Sequence, residues 1–458
     1  MDSTSKSRVL GNLRQYYGST IQSRADLRTS ACCLTNISTQ SHSASQLREA
    51  LVRVHPHVQE RFYGCGSPIP AVLEGLAVLD LGCGSGRDCY VLSQLVGPRG
   101  RVLGVDVSEE QIAVARSFLD WHAQQFGYAN VEFKLGQMED LAPLGIADAS
   151  IDLVISNCVL NLSVDKDRVI QETFRVLKSG GQLYISDVFA NRRIPQSLIQ
   201  DPVLHGECLA GAWYREDFRR LLASVGCADV RMESQRPISI GDPDVEEKIG
   251  FATFMACTVY AFKLDLLEDR CEDYGQVARY RGTIPRHPHS FRLDENHEFP
   301  RGKWVPVCGN TADMLTATRF APYFEVIGDK STHHGLFSCT QSQELVRTAV
   351  EDTHIKDISL GSPDRGLEAF MDPAIHRGLF DKIMSIIDAS SSGPSLKFLA
   401  GGTYDNSNHQ TKGLFNEETF GPTLAVYVYP DAEWTSTLNG VDQARGGFAI
   451  TDAVFAKD

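Results

Sequence analysis

The chain has 458 residues, enough for two or three domains. Its apolar fraction of 42% and charged fraction of 22% are those of a globular protein, and a net charge of −14 argues against a nucleic-acid or membrane-surface role. No apolar run reaches the ~20 residues of a membrane span, the opening MDSTSKSRVL lacks a signal-peptide core, and twelve cysteines without one point to a reducing, cytoplasmic setting.

Residues 1–75 read as a helical cap, in which LREALVRVHPHVQERF carries apolar residues near helical spacing. Thr29–Ser45, rich in Ser, Thr and Asn, reads as a loop within it. Residues 76–230 alternate apolar strands with helices, the strands being AVLDL, RVLGVD, VEFKLG, IDLVISN and QLYISDV. That alternation predicts an α/β unit whose parallel sheet is covered on both faces. The first strand runs into VLDLGCGSGRD, Val78–Asp88, where Gly82, Gly84 and Gly86 force a tight turn and allow a backbone close to a ligand. The spacing is G-x-G-x-G, distinct from the G-x-G-x-x-G of a dinucleotide fingerprint. Asp106 closes the second strand, where an acid suits ribose hydroxyls. Ligands in such sheets sit at the carboxyl ends of the strands, where Gly82, Asp106 and Asn157 fall. Residues 231–340 lose the alternation and read as a small α+β domain, with strands in VYAFKLDL, QVARYRGTI, SFRLDENHEF and KWVPVCG and a helix near Asn310–Arg319. From residue 341 to 458 the character changes again.

No C-x-x-C pair has zinc-site spacing, so any thiols that bind together converge from separate segments. Cys158 follows IDLVISN directly and belongs at the edge of the ligand cleft. Cys208, in HGECLAGA, is placed to fold over the same mouth, and Cys65, in ERFYGCGSP, precedes the first strand. Cys32 and Cys33 share the loop of the cap. For Cys83, Cys89, Cys227 and Cys257 packing is the better reading, because a thiol is a small hydrophobe that is often buried. Cys65 and Cys158 differ in lying among Gly, Pro, Ser and Asn, a loop context that favours binding. Three thiols around one pocket suit a soft, thiophilic ion.

The Gly-rich turn with Asp80 before it and Asp106 after it resembles motifs I and II of the seven-stranded, Rossmann-like S-adenosylmethionine-dependent methyltransferases. The blocks YYG (from Tyr16), RFYGCG, DLGCGSGRDCYVLSQLVG, SNCVLNL, FRVLKSGGQLYISDV and GECLAGA resemble, in order over residues 8–337, the arsenite methyltransferases. The resemblance implies S-adenosylmethionine as cofactor and arsenite, or arsenic–thiol conjugates, as substrate. By position, Cys158 and Cys208 are the metalloid ligands. Cys65 joins them around As(III), and Cys32 or Cys33 completes the set needed for the first methylation. The doublet leaves that last choice open. Asp80, Gly82, Gly84, Gly86 and Asp106 fall where the cofactor binds, Gln137, Met138 and Glu139 where adenine is contacted, and Asn157 beside the methyl. Core filling is an equal reading for Met138. Methylarsenite and dimethylarsenite are the implied products, with thioredoxin or glutathione as reductant and no nucleic-acid or membrane partner.

Residues 341–458 resemble a stretch of aldehyde dehydrogenase of the pyrroline-carboxylate type, through FMDPAIHRGLFDKI, KFLAGGTYDNS and NEETFGPTLAVYVYPD. Glu418 matches that family's cofactor-ribose acid, but nucleophile and dinucleotide site are missing, so the tail reads as a non-catalytic remnant. Two other functions compete with the first. A methyltransferase for a sterol or quinone would need an acid or His base, and none lies beside SNC in the sequence. A metalloid-binding protein would keep the fold without turnover.

Overall fold

The computed structural model describes residues 44–339, the short stretches 8–9, 11–13, 15–17, 21 and 26–29, and three strands at Leu396–Leu399, Gly402–Asp405 and Ala425–Tyr427. Two compact units divide the chain between Val346 and Arg347.

The first unit is built on an eight-stranded sheet: β1 (Ala77–Leu81), β2 (Arg101–Asp106), β3 (Val131–Leu135), β4 (Ile151–Asn157), β5 (Leu177–Ala190), β6 (Trp213–Tyr214), β7 (Arg231–Ile238) and β8 (Phe254–Phe262). The order is β3-β2-β1-β4-β5-β8-β7, with β6 on the end of β5. Strands β1 to β5 run parallel, and β8 runs antiparallel to β5. All five apolar runs predicted as strands are strands. The central β1 is buried along its whole length, because helices cover both faces of a parallel sheet. Order reverses between β1 and β4, which opens a crevice at their carboxyl ends.

One expected boundary moves. The sequence reading assigns everything past residue 230 to a small separate domain, yet β7 and β8 are strands of the main sheet. β8 pairs with β5 from Gln182↔Phe262 to Ala190↔Phe254, which buries FMACTVYAF on both faces. The strand returns antiparallel after β7 and a short helix, Pro243–Ile249, so it breaks the strand–helix alternation that sequence patterning follows. The VYAF of VYAFKLDL is therefore core sheet, and only KLDL follows it.

The appendage proper follows β8. It holds the antiparallel strands Trp304–Pro306, Val277–Tyr280 and Phe324–Ile327, a hairpin of Ser290–Asp294 with His297–Pro300, and the helix Gly309–Thr316. Its aromatics Tyr280, Phe299 and Phe324 join Val78, Tyr184 and Tyr260 of the sheet in one hydrophobic cluster. At about 1.5–3 kcal/mol for each fully buried large side chain, this shared core ties appendage to sheet.

The cap is helical where it is described. Helices Ala44–Val52 and Pro56–Glu60 seat Leu47 and Val58 in the same cluster. Tyr16 donates to Glu207 at 3.2 Å and Tyr17 to the Gly206 carbonyl at 2.5 Å, which brings the start of the chain to the segment bearing Cys208.

Candidate functional site

The chain leaves β1 through Gly82–Gly86 and enters the helix Arg87–Val96. All three glycines have positive φ: +74° at Gly82, +51° at Gly84 and +86° at Gly86. Their surroundings differ. A Cβ on Gly82 would stand 2.2 Å from the Val159 side chain, and one on Gly86 would stand 2.6 Å from Phe133. At Gly84 nothing lies within 4 Å, and this residue lines a cavity at the carboxyl ends of β1, β2 and β4. Gly82 lines the cavity too, while Gly86 caps the helix away from it. Gly82 and Gly84 thus border the cavity, and Gly86 packs against Phe133.

Asp106 holds the turn in place. Its Oδ2 accepts from the Gly84 amide at 2.8 Å and its Oδ1 from the Ser108 amide at 2.8 Å, leaving further lone pairs toward the cavity it lines. Asp80 is buried beside it, where desolvation and the charge of Asp88 hold its carboxyl well above the usual range. Cys89 donates to Asp80 at 3.3 Å. Gln137, Met138 and Glu139, after β3, all line the cavity, and Glu139 accepts from the Ser163 hydroxyl at 2.5 Å. Met138 also packs against the second hydrophobic cluster, so it both lines the cavity and fills core.

Asn157, at the end of β4, joins two walls. Its Oδ1 accepts from Gly66 N at 3.2 Å, and its Nδ2 donates to Gly66 O at 2.9 Å and to Asp88 at 3.0 Å. The loop carrying Cys65 is thereby clipped to the cavity floor. Cys65 and Cys158 are both buried, and their thiols lie with an Asp187 carboxylate oxygen all within 4.8 Å of one another. Cys208 is buried next to them and donates its thiol to the Cys158 carbonyl at 3.0 Å. It is outside the closest group but inside the same packed cluster. Cys32 and Cys33 lie outside the described residues. Cys83, Cys89, Cys227 and Cys257 are buried, though Cys83 also lines the cavity, and burial pushes Cys83 up to about 11 and Cys257 up to about 12.

Three groups escape the sequence reading. Asp187, in the SDV of β5, is the acid beside the thiols that the sequence does not show near SNC; its place one residue past Ser186, the β5 partner of Asn157, is the available signal. Lys166 opens the helix Lys166–Val176, with its ammonium 4.0 Å above the Trp213 ring and bonded to the Gly211 carbonyl. Burial lowers its pKa to about 8, against the attraction of Asp187 and Cys208. Arg87 chelates Asp88 at 2.6 and 2.9 Å and stacks 3.0 Å from the Phe62 ring centroid, fixing another cavity wall.

The cavity fits S-adenosylmethionine on three counts. Asp80, Asp88, Asp106 and Glu139 give it an acidic lining, which suits a ligand with a sulfonium and an ammonium group. Gly84 leaves a cradle that a Cβ would fill. Gln111 lines it with a buried Oε1 that has no partner among the described residues, an acceptor available to a ligand amine.

Comparison with known proteins agrees with this geometry. Residues 73–226 match a family described as a methyltransferase domain, and residues 274–354 match the arsenite methyltransferase C-terminal domain. An arsenite methyltransferase of Aquipseudomonas alcaligenes is 54% identical over 326 residues, 71% of this chain and 93% of that protein. The solved arsenic(III) S-adenosylmethionine methyltransferase of Chlamydomonas reinhardtii is 48% identical, with a TM-score of 0.62 over 64% of this chain and 99% of its own. A bovine mitochondrial delta-1-pyrroline-5-carboxylate dehydrogenase is 38% identical, covering 39% of this chain and 36% of its own length. The sheet order, the glycine turn and these similarities together establish that the chain belongs to the arsenite methyltransferase family and takes S-adenosylmethionine as its cofactor.

Proposed function

We propose that the chain methylates trivalent arsenic held by the thiolates of Cys65, Cys158 and Cys208 at the mouth of the S-adenosylmethionine cavity. One observation carries this reading: Cys158, which lines the cavity, lies within 4.8 Å of the Cys65 thiol and 3.0 Å, through its carbonyl, from that of Cys208. Soft thiolates select soft acceptors, and three of them suit As(III).

Bound S-adenosylmethionine supplies an electrophilic methyl on a positively charged sulfur. The thiolates leave arsenic its lone pair and so make it the nucleophile, with no proton to be removed from the attacking atom. Thiol protons must leave as arsenic binds, and Asp187 is the base beside Cys65 and Cys158. The ammonium of Lys166 favours the thiolate of Cys208, whose charge in turn raises the Lys166 pKa. Asn157 and the Arg87–Asp88 pair hold the Cys65 loop and the cavity wall in register, and orientation of this kind is worth up to roughly 7–11 kcal/mol. Transfer gives formally pentavalent arsenic. Return to As(III) takes two electrons from a thiol pair, which becomes a disulfide reset by thioredoxin or glutathione. Cys65 with Cys32 or Cys33 is the pair assigned here. Thr29, three residues before Cys32, is buried, and the neighbouring Arg28 amide donates to Glu207 at 2.6 Å, beside Cys208. Products are methylarsenite and dimethylarsenite.

For residues 341–458 the reading is a non-catalytic remnant of a dehydrogenase, supported by the partial similarity to the bovine enzyme and by its missing nucleophile. Incubation with arsenite, S-adenosylmethionine and glutathione, followed by separation of arsenic species, tests the assignment. Methylated arsenic is expected, and its absence while an organic acceptor is methylated would refute it.

A further inference from the structure

The appendage contains a second thiol cluster. Cys271, Cys308 and Cys339 have sulfur atoms all within 4.8 Å of one another, and none of the three lines the methyl-transfer cavity. They converge from separate segments. Cys271 precedes the strand Glu272–Asp273, which pairs antiparallel with Gly335–Leu336, and the Phe337 amide donates to the Cys271 carbonyl at 2.7 Å. This ribbon brings Cys339 back beside Cys271. Cys308 is the N-cap of the helix Gly309–Thr316, where its sulfur accepts from the Thr311 amide at 3.4 Å.

Packing does not account for the arrangement. Cys308 is fully buried, yet its neighbours are polar: Arg231 donates to its sulfur at 3.7 Å and the Thr311 hydroxyl lies 3.2 Å away. Buried His297 bonds Asp294 through Nδ1 at 2.7 Å, which leaves Nε2 facing Thr311 Oγ1 at 3.3 Å, on the side of Cys308. Asp294 thus fixes the imidazole against the Thr311 hydroxyl that bonds Cys308, a polar support of the kind that surrounds ligand groups.

We propose that Cys271, Cys308 and Cys339 form a second site for a thiophilic ion, bound through three sulfurs and separate from the site of methyl transfer. Two ions share this chemistry. Zinc would take the three thiolates with a water as fourth ligand, releasing the thiol protons to solvent. Trivalent arsenic needs no fourth ligand. Arsenite would exchange its three hydroxyls for three sulfurs, each hydroxyl leaving as water with one thiol proton. The inference does not rest on the proposed arsenite methylation, because the zinc arm stands without it.

The test uses the full chain carrying Cys65→Ser and Cys158→Ser, so that the cavity thiols no longer compete. The reduced protein is dialysed anaerobically against zinc in one arm and arsenite in the other, and bound ion is measured by elemental analysis. One equivalent of zinc or of arsenic per chain is expected, with affinity at least tenfold weaker once Cys308→Ser or Cys339→Ser is added. Cys339 is only half-buried, so its variant is the safer one for folding, and an unchanged calorimetric affinity for S-adenosylmethionine verifies it. Retention of neither ion above the level of the Cys339→Ser protein would overturn the proposal. So would immediate formation of a disulfide among the three that excludes both ions.

Discussion

The Cys208 thiol donates to the carbonyl oxygen of Cys158 at 3.0 Å, and both residues hold left-handed backbone, with φ of +64° and +59°. A side chain in that region costs of order 1–3 kcal/mol. Glycine would be at ease at either position. That two buried cysteines stand there argues that their sulfurs, and not the backbone, are what the site requires.

Activity and stability should therefore separate at these positions. Cys208→Gly relieves the strained backbone while losing the thiol's packing, so its melting temperature should stay within about 3 °C of the parent. Methylation should vanish, as it should in Cys158→Ser and Cys208→Ser, because a hydroxyl is a weak ligand for a soft ion. Thermal denaturation beside product analysis checks both halves. Near-normal turnover in any of the three would remove that residue from the arsenic site.

The glycine turn makes a second, sharper contrast. Gly82→Ala drives a Cβ into Val159 and should destabilise the fold by about 1–3 kcal/mol, seen in denaturant titration. Gly84→Ala meets no neighbour within 4 Å, so beyond the left-handed backbone cost that both alanines carry, its effect should fall on S-adenosylmethionine affinity. Asp106→Ala should weaken the same affinity by roughly 1.5–3 kcal/mol, the scale of a hydrogen bond to a charged group. Because Asp106 also anchors the Gly84 amide, part of that loss belongs to the turn. Calorimetry showing unchanged affinity in Asp106→Ala would return it to a purely structural role.

Lys166 gives the site a pH dependence. Its pKa of about 8 in the fold lies below that of an exposed lysine, so above pH 8 it loses the positive charge that favours the Cys208 thiolate. By linkage, the unfolded chain binds the extra proton between about pH 8 and the ordinary lysine value, so this group alone makes stability rise through that window and penalises the fold below it. Lys166→Met removes the penalty and the charge together. We expect a protein at least as stable at pH 7, whose methylation rate there falls about tenfold and recovers as pH rises. A pH–rate profile that superimposes on the parent's would show that Lys166 has no hold on Cys208.

Much of this was readable from residues, and what was missed has a common cause. The turn after Leu81, Asp106 and the Gln137–Glu139 stretch follow directly from strand ends, because a parallel sheet brings its carboxyl ends to one place whatever the loops do. Cys65 next to Cys158 was placed by loop context and resemblance together. Asp187 was hidden because an acid inside a strand looks like an interruption until β5 is seen running past Cys158. Gly86 shows how a positive φ and a close ligand ask for the same letter, since in the fold it faces Phe133. β8 reads as appendage in the sequence because its partner β5 lies 64 to 80 residues back in the chain, from Ala190↔Phe254 to Gln182↔Phe262, beyond the reach of local pattern.

Truncation after Val346, where the first compact unit ends, should leave arsenite methylation within about twofold of the full chain. Every group in the cavity and both described thiol clusters lie before that point. Loss of folding or activity would mean that the tail supports the unit before it.

The most direct measurement is a single turnover with methyl-labelled S-adenosylmethionine and arsenite, excess enzyme, and the label followed onto arsenic. The parent chain should transfer close to one methyl per arsenic in the first turnover, and Cys158→Ser should transfer none while binding the cofactor normally. Label on arsenic at the parent's rate in Cys158→Ser, or no label on arsenic in the parent, would contradict methyl transfer to thiolate-held arsenic at this site.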